Sequence, residues 1–297
     1  MVSTRVPEWV RVRVPATSAN LGPGFDCAGL ALALYDEVEV RVLPAGIDVE
    51  VTGEGAGEVP LDDGHLVVRC IRAAAAELGT SLSGVWLRAR NVIPHGRGLG
   101  SSAAAVIAGL LAGRALVPGG LERMSDQDLL ELATAIEGHP DNVAPCLLGG
   151  FTLAWNGPPT RTLRLDPHPD LSPVVLVAPT RLATETARGL LPATVPHADA
   201  AFNAARAALL VPAVTRDPGL LWAATEDRLH QEYRAPAMPD SLALVRRLRR
   251  QRHAATVSGA GPSVLVLGTA GAEDWAPPGW RRLSPGVDLE GAMVVSG

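Results

Sequence analysis

The sequence predicts an α+β fold. Segments in which apolar and polar residues alternate, as in half-buried strands, are mixed with segments of helical periodicity. The two kinds do not follow each other in the regular β-α-β order of a parallel sheet. At 297 residues, the chain has the length of one large domain or of two domains of ordinary size. A polar, proline-rich stretch at residues 156–173 is the best candidate for a boundary between two domains.

Five strands and three helices are predicted before this stretch. Val alternates with Arg at residues 10–14 and with Glu and Arg at residues 38–42, which is typical of strands with one buried face. Ser125 begins a predicted helix with Asp128 three residues later, as in a capping box. The strands predicted in this half lie at residues 10–14, 38–42, 47–51, 85–92 and 150–155, and the helices at residues 65–78, about 101–116 and 125–137.

Three strands and four helices are predicted after the stretch. Apolar runs at residues 174–178, 255–257 and 264–267 favour strands, and the last two flank a glycine-rich turn. The predicted helices lie near residues 185–191, 197–210, 219–228 and 241–252.

Residues 94–105 (PHGRGLGSSAAA) carry the clearest functional pattern. They follow a predicted strand and open a predicted helix, with three glycines within five residues and two serines directly after them. Glycine allows a positive φ and a close approach of the backbone to a ligand. Successive backbone N–H groups at the start of a helix bind anions. The segment therefore predicts a phosphate-binding loop, and the alternative is a glycine-rich turn that happens to precede a helix.

The chain contains 26 arginines and no lysine. A Walker A loop, a protein-kinase active site and a pyridoxal phosphate enzyme each need a lysine, so the sequence excludes these three classes. The sequence has no G-x-S-x-G motif, which excludes a serine hydrolase of the nucleophile-elbow type. The net charge is −5 and the arginines are scattered, so we expect no nucleic-acid partner.

Cysteine usage indicates a reducing compartment, because Cys27, Cys70 and Cys146 are too few and too scattered for a disulfide framework. The sequence has no C-x-x-C or H-E-x-x-H motif that would indicate a zinc site. Residues 1–5 lack the apolar core of a signal peptide, and the apolar run at residues 103–112 is too short to cross a bilayer. We therefore expect a cytoplasmic protein with no membrane partner.

Three further segments combine glycine or proline with polar side chains. Residues 15–26 are predicted to form a compact loop, and its Asn20 and Asp26 suit a polyhydric or zwitterionic ligand. Residues 137–145 (EGHPDNVAP) leave a predicted helix with four polar groups in six positions, and residues 257–263 form a glycine-rich turn between two strands. Each segment also has an ordinary structural interpretation, as a turn, a capped helix end and a hairpin turn respectively.

The glycine-rich segments occur together and in order along the chain, and in this combination the sequence resembles the GHMP kinases. Members of this family phosphorylate galactose, homoserine, mevalonate and phosphomevalonate. Residues 94–104 resemble the central phosphate motif of the family, and residues 258–263 resemble its C-terminal motif. Within the family, the members that act on homoserine are the most similar, through residues 17–26, 137–145, 184–188 and 227–234.

The resemblance implies two domains with a cleft between them. Residues 1–151 would form the ATP-binding N-terminal domain, with a fold like domain 2 of ribosomal protein S5. Residues 152–297 would form a ferredoxin-like C-terminal domain. ATP and L-homoserine would meet in the cleft. The sequence leaves the oligomeric state open, with a homodimer as one option.

The resemblance also implies a substrate site, formed by Asn20, Asp26, His139, Arg188 and Arg234. Homoserine is a zwitterion with a hydroxyl side chain. Arg188 and Arg234 can bind its carboxylate through forked hydrogen bonds, and Asp26 can pair with its ammonium group. Asn20 and His139 can then orient the rest of the ligand, including the hydroxyl.

ATP and Mg²⁺ are the cofactors that the resemblance implies. The predicted ATP-binding residues are Pro94, Gly96, Arg97, Gly98, Leu99, Gly100, Ser101 and Ser102. The resemblance also implies that Ser102 and Glu131 ligate Mg²⁺, with Glu137 as the alternative carboxylate. Hydroxyl and carboxylate oxygens suit a hard cation of this kind.

Asp141 and Asn142 are the predicted catalytic residues. Several GHMP kinases have an aspartate base at this place, whereas the members that act on homoserine have an asparagine. The sequence leaves open whether Asp141 is a weak base or orients its neighbours, and the hydroxyl proton can instead pass to a phosphate oxygen. Two other functions also stay open, which are a GHMP kinase for another small alcohol and a protein of this fold that only binds a ligand.

Overall fold

Two β-sheets with helices packed on them organise the chain. The computed structural model describes residues 7–155, 157–268 and 275–296. The expectation about a signal peptide concerns residues 1–5, which lie outside the described residues. No helix among those that the structure describes is both long and apolar enough to cross a membrane. The predicted α+β class is confirmed.

The described strands are β1 (Val10–Asn20), β2 (Gly24–Leu43), β3 (Gly46–Gly53), β4 (Gly84–Asn91), β5 (Phe151–Trp155), β6 (Arg161–Leu165), β7 (Val174–Val177), β8 (Ala254–Val257), β9 (Val264–Leu267), β10 (Arg281–Leu283) and β11 (Met293–Ser296). The described helices are α1 (Leu66–Glu77), α2 (Ser101–Leu116), α3 (Gly120–Arg123), α4 (Asp126–Glu137), α5 (Pro140–Leu148), α6 (Thr184–Gly189), α7 (His197–Thr215), α8 (Leu221–Ala224) and α9 (Pro239–Arg250). Short 3₁₀ helices cover Pro218–Leu220 and Glu232–Ala237.

The first sheet has the strand order β11-β1-β2-β4-β3, in which only β3 and β4 are parallel. Strand β5 also pairs with β2, and β6 pairs with β5. The second sheet is antiparallel, with the order β10-β7-β9-β8. The division into residues 1–151 and 152–297 stays a proposal. Strands β6 and β11, and all of β5 except Phe151, belong to the second of these parts and pair into the first sheet.

Helix α2 is the centre of the first hydrophobic core and sets the position of the glycine-rich segment in front of it. The helix is buried on nearly all sides. Helix α1 passes so close to α2 that only glycine fits at two positions of α2. A Cβ on Gly109 would lie 2.6 Å from the Cβ of Cys70, and one on Gly113 would lie 2.6 Å from the carbonyl oxygen of Ile71. Strand β1 contributes the alternating buried valines that its sequence predicts. The N-terminus of α2 is therefore fixed by a tightly packed core.

Two local predictions were wrong, and one helix was not predicted. The segment at residues 15–26 is a β-hairpin rather than a compact loop, because β1 and β2 continue to a tight turn in which Asn20 and Leu21 have φ values of 70° and 47°. The helix predicted at residues 219–228 ends at Ala224. The segment at residues 137–145 leaves a helix at Glu137 as predicted, but a second helix, α5, which was not predicted, begins at Pro140 after only two linking residues.

Candidate active site

A cleft of about 160 Å³ lies between the start of α2, the start of α5 and the segments that follow β7 and β8. Most of the predicted site residues line this cleft. They are Asn20, Gly96, Arg97, Gly98, Leu99, Gly100, Ser101, Ser102, His139, Asp141, Asn142, Arg188 and Arg234. Glu137, the alternative metal carboxylate, also lines it. Pro94, Asp26 and Glu131 are not among the lining residues, although Asp26 contacts the site through Arg188.

The glycine-rich segment has the backbone that its sequence predicts. Gly96, Gly98 and Gly100 have φ values of 63°, 71° and 68°, in the left-handed region. A Cβ on Gly98 would lie 2.1 Å from the carbonyl oxygen of Ser258, and one on Gly100 would lie 1.9 Å from Oγ1 of Thr17. Both the positive φ and the lack of room for a Cβ therefore require glycine at positions 98 and 100. The loop leads directly into α2, whose first backbone N–H groups have no partner within the helix and attract an anion.

The C-terminal motif supports this loop. The hydroxyl of Ser258 donates a hydrogen bond of 2.6 Å to the carbonyl oxygen of Gly98, and it also lies 2.8 Å from the hydroxyl of Ser18. The backbone N–H of Thr17 donates to the carbonyl oxygen of Leu99 at 3.1 Å. Segments from the beginning, middle and end of the chain thus hold the loop in one conformation.

Arg97 holds the loop to the segment after β7. Its guanidinium donates to the carbonyl oxygens of Ala178, His95 and Pro179 at 2.8, 3.0 and 3.0 Å. Each of its three nitrogens has a protein acceptor. Arg97 therefore fixes the loop, and its direct contact with ATP stays a prediction.

Ser102 lies beside Glu137. The Ser102 hydroxyl donates to Oε1 of Glu137 at 2.5 Å, whereas Oε1 of Glu131 accepts a hydrogen bond from Gln127 on the same helix. Glu131 and Glu137 are six residues apart on α4, a rotation of roughly 240° about the helix axis, so they lie on different sides of the helix. The structure thus brings Ser102 together with the alternative carboxylate and not with Glu131.

The start of α5 holds a chain of hydrogen bonds. Asp141 is only 2% exposed, and its Oδ1 lies 2.6 Å from Nδ1 of His139 and accepts a bond from the Asn142 amide at 3.3 Å. The Asn142 oxygen in turn accepts a bond of 2.8 Å from the Thr17 hydroxyl. Burial lowers the pKa of His139, but the hydrogen bond and negative charge of Asp141 outweigh it, so that the pKa of His139 lies above its usual value. Asp141 is therefore engaged in orienting both of its polar neighbours.

Asp26 and Arg188 form a bidentate ion pair. Nη2 and Nη1 of Arg188 donate to the two carboxylate oxygens of Asp26 at 2.6 and 3.0 Å. The side chain of Asn20 accepts a bond of 3.0 Å from the backbone N–H of Asp26 and donates one of 2.9 Å to the carbonyl oxygen of Gly259. The turn between β1 and β2 therefore presents Asp26 in a fixed position beside Arg188.

Arg234 is the second arginine of the cleft, and it has no carboxylate within ion-pair distance among the described residues. The residue is only 1% exposed. Its Nη1 donates to Nδ1 of His230 at 3.2 Å and to the carbonyl oxygen of Gly259 at 3.3 Å, while its Nε has no hydrogen-bond partner. Burial lowers the pKa of Arg234, and the positive charge of Arg188 lowers it further. A buried guanidinium without a counterion is costly, so this position calls for an anionic ligand.

A second cavity, of about 280 Å³, adjoins the phosphate loop and shares Ser101 and Ser102 with the first cleft. Its walls are mostly apolar, and they include His65 and the buried Asp36. Burial raises the pKa of Asp36 to about 6, although its carboxylate accepts the backbone N–H groups of Val92 and Ile93. Sequence reasoning missed this cavity, because most of its walls come from segments outside the glycine-rich motif that are far apart in the chain. An apolar cavity beside an anion-binding loop suits a flat aromatic ring.

The family model of the GHMP kinases N terminal domain matches residues 65–150. A homoserine kinase from Streptomyces avermitilis is 56% identical over 291 residues, which cover 96% of this chain and 95% of the relative. A homoserine kinase from Clavibacter michiganensis is 52% identical over 297 residues, which cover 96% of this chain and 93% of the relative.

Among solved structures, a homoserine kinase from Cytophaga hutchinsonii matches with a TM-score of 0.85 and 26% identity, over 99% of this chain and 100% of that one. A mevalonate diphosphate decarboxylase from Staphylococcus aureus matches with a TM-score of 0.67, over 97% of this chain and 98% of that one. With only 15% identity, this second likeness concerns the fold alone.

Proposed function

This chain belongs to the homoserine kinases of the GHMP kinase family, ATP-dependent enzymes that phosphorylate the homoserine hydroxyl, and we propose how its residues carry out that transfer. The product is O-phospho-L-homoserine, a precursor in threonine biosynthesis. The observation that supports the proposed site most strongly is Arg234, a buried guanidinium without a counterion among the described residues, which lines the same cleft as a phosphate-binding loop.

Homoserine binds through its two charged groups. Its carboxylate takes the position next to Arg234, where it supplies the missing counterion, and it lies within the field of Arg188. Its ammonium group pairs with Asp26, whose two oxygens have lone pairs left after binding Arg188. Asn20 and His139 orient the remainder of the substrate, so that its hydroxyl is directed toward the phosphate loop. This arrangement provides the alignment on which phosphoryl transfer depends.

ATP binds across the two cavities. The backbone N–H groups of residues 96–102 hold the phosphates, and the apolar cavity beside Ser101 accepts the adenine ring. Ser102 and Glu137 offer a hydroxyl and a carboxylate oxygen, a donor set that fits Mg²⁺. When bound, Mg²⁺ neutralises the negative charge that develops on the transferred group.

The proton of the homoserine hydroxyl does not need Asp141 as its acceptor. Asp141 is buried and already binds His139 and Asn142, so it serves to orient these two side chains. We propose that the proton passes to a phosphate oxygen and that Asn142, held by Thr17, lies beside the reacting groups.

Asp141→Asn is therefore expected to keep appreciable activity. The amide oxygen of the new side chain can still accept a hydrogen bond from His139, so the loss in kcat should stay well below the roughly 10²–10⁴-fold that a general base contributes. Steady-state kinetics at saturating homoserine and ATP measure this loss. A loss at the top of that range, with both substrates still bound, would identify Asp141 as the base.

A panel of alcohols tests the assigned substrate. The protein is incubated with ATP, Mg²⁺ and one of homoserine, threonine, serine, mevalonate or galactose, and the phosphorylated product is identified by mass spectrometry. We expect homoserine to have by far the highest kcat/KM. Preferential use of mevalonate or galactose would assign another small alcohol to this site, and no product with any alcohol would favour a protein that only binds ligands.

We also propose that the protein works in the cytoplasm. The three cysteines are free thiols, which suits the reducing cytoplasm, where ATP is available. The division at residue 151 and a homodimer stay predictions.

A further inference from the structure

His230 contacts Arg234, which lines the cleft, and is completely buried. Its Nε2 lies 2.8 Å from the carbonyl oxygen of Gly22, and its Nδ1 lies 3.2 Å from Nη1 of Arg234. A carbonyl oxygen can only accept a hydrogen bond, so Nε2 must carry the hydrogen. A guanidinium can only donate, so Nδ1 must carry a lone pair. The two partners together specify one neutral tautomer of the imidazole.

The groups around His230 are consistent with this neutral form. Asp227 lies 3.7 Å from Nε2, but its carboxylate accepts the backbone N–H groups of residues 229–231. The ring of Phe25 packs against the imidazole with 5.1 Å between the centroids. The positive charge of Arg234 faces the other nitrogen, and Asp26 directly follows Phe25 in the chain. Burial holds the pKa of His230 below its usual value.

We propose that His230 is a positioning residue for Arg234, which it holds through Nδ1 so that the rest of the guanidinium is available to the substrate carboxylate. With Nη1 bound to His230 and to the carbonyl oxygen of Gly259, no hydrogen bond to a described residue uses Nη2 or Nε of Arg234. A free arginine side chain loses considerable rotamer entropy when it is fixed on a ligand. An arginine that is already fixed loses less, so the His230 contact strengthens homoserine binding by preorganisation. This inference rests on the proposed role of the cleft as the homoserine site.

Two substitutions separate the two hydrogen bonds of His230. The oxygen of an asparagine side chain occupies about the place of Nδ1, so His230→Asn keeps an acceptor for Arg234 and loses the donor to Gly22. The terminal amide of a glutamine side chain reaches about the place of Nε2, so His230→Gln keeps the donor to Gly22 and loses the acceptor for Arg234. Both variants remove the ring that packs on Phe25, and each is therefore the control for the other.

We expect His230→Gln to raise the homoserine KM about tenfold, because the substitution removes a hydrogen bond to a charged group. His230→Asn should stay within about threefold of the wild type, and both variants should keep the ATP KM. If His230 only stabilises the turn at Gly22, the order of the two variants reverses. Equal homoserine KM values in the two variants would also overturn the inference.

A second measurement does not depend on the activity of a variant. In a ¹⁵N-histidine NMR spectrum of the wild-type protein at about pH 7.5, His230 should show a protonated Nε2 and an unprotonated Nδ1. The other tautomer, or a cationic ring, would overturn the inference even if neither variant folds. These outcomes are distinct from a failure of the proposed function, which would be seen only if the wild-type protein did not phosphorylate homoserine.

Discussion

Replacing Arg234 by alanine should weaken homoserine binding by about 2–5 kcal/mol, which corresponds to a KM that is roughly 30-fold to more than 1,000-fold higher. The effect is large because Arg234 is buried and its charge has no carboxylate partner in the described part of the protein. Its loss leaves the substrate carboxylate desolvated and unpaired. The KM for ATP should change little. Arg234→Lys should rescue binding poorly, because lysine lacks the planar fork and cannot keep the same contacts with His230 and Gly259.

Arg228→Ala is the matched control for this prediction. Arg228 belongs to the same segment of the chain, but its side chain is 52% exposed and pairs with Asp199 outside the cleft. Its loss should leave both KM values unchanged. A substrate series tests the same contact from the ligand side, because 3-aminopropanol is homoserine without the carboxylate and should be a very poor substrate. Equal use of the two alcohols would contradict the proposed role of Arg234 and the homoserine assignment with it.

Glu137→Gln should lower kcat by about a hundredfold or more, with a modest effect on the homoserine KM. The substitution removes one negative charge from the proposed metal site, and the charge stabilisation that a metal supplies in the transition state amounts to several kcal/mol. The glutamine oxygen can still accept the hydrogen bond from Ser102, so the fold should be kept. Steady-state kinetics over a range of Mg²⁺ concentrations measure the effect, and the Mg²⁺ concentration for half-maximal rate should rise.

Glu131→Gln provides the control on the same helix. The Glu131 side chain accepts a hydrogen bond from Gln127 and does not line the cleft. Loss of its charge should therefore leave kcat close to that of the wild type. The opposite result, an inactive Glu131→Gln and a normal Glu137→Gln, would restore Glu131 as the metal carboxylate and remove Glu137 from that role.

The sequence by itself determined the features that depend on a few consecutive residues. The left-handed glycines of the phosphate loop, the capping box at Ser125 and the alternating valines of β1 were all predictable. Each of them follows from backbone sterics, from hydrogen bonds within one turn or from the two-residue period of a strand, and none of them needs the rest of the chain. The resemblance of separate segments to one family is also a property of the sequence, and most of the residues that it groups line the same cleft.

Only the tertiary structure decided how those residues divide their roles. The choice between Glu131 and Glu137 depends on which side of α4 faces the start of α2, and their spacing alone does not specify that side. Arg188 and Arg234 look equivalent in the sequence, but Asp26 pairs with the first of them, whereas the second has no carboxylate within ion-pair distance among the described residues. The apolar cavity and the contact between His230 and Arg234 combine segments that the fold packs together. Burial, charge pairing and hydrogen bonds between distant segments arise only when the packed core brings these segments into contact. A local sequence pattern therefore cannot predict them.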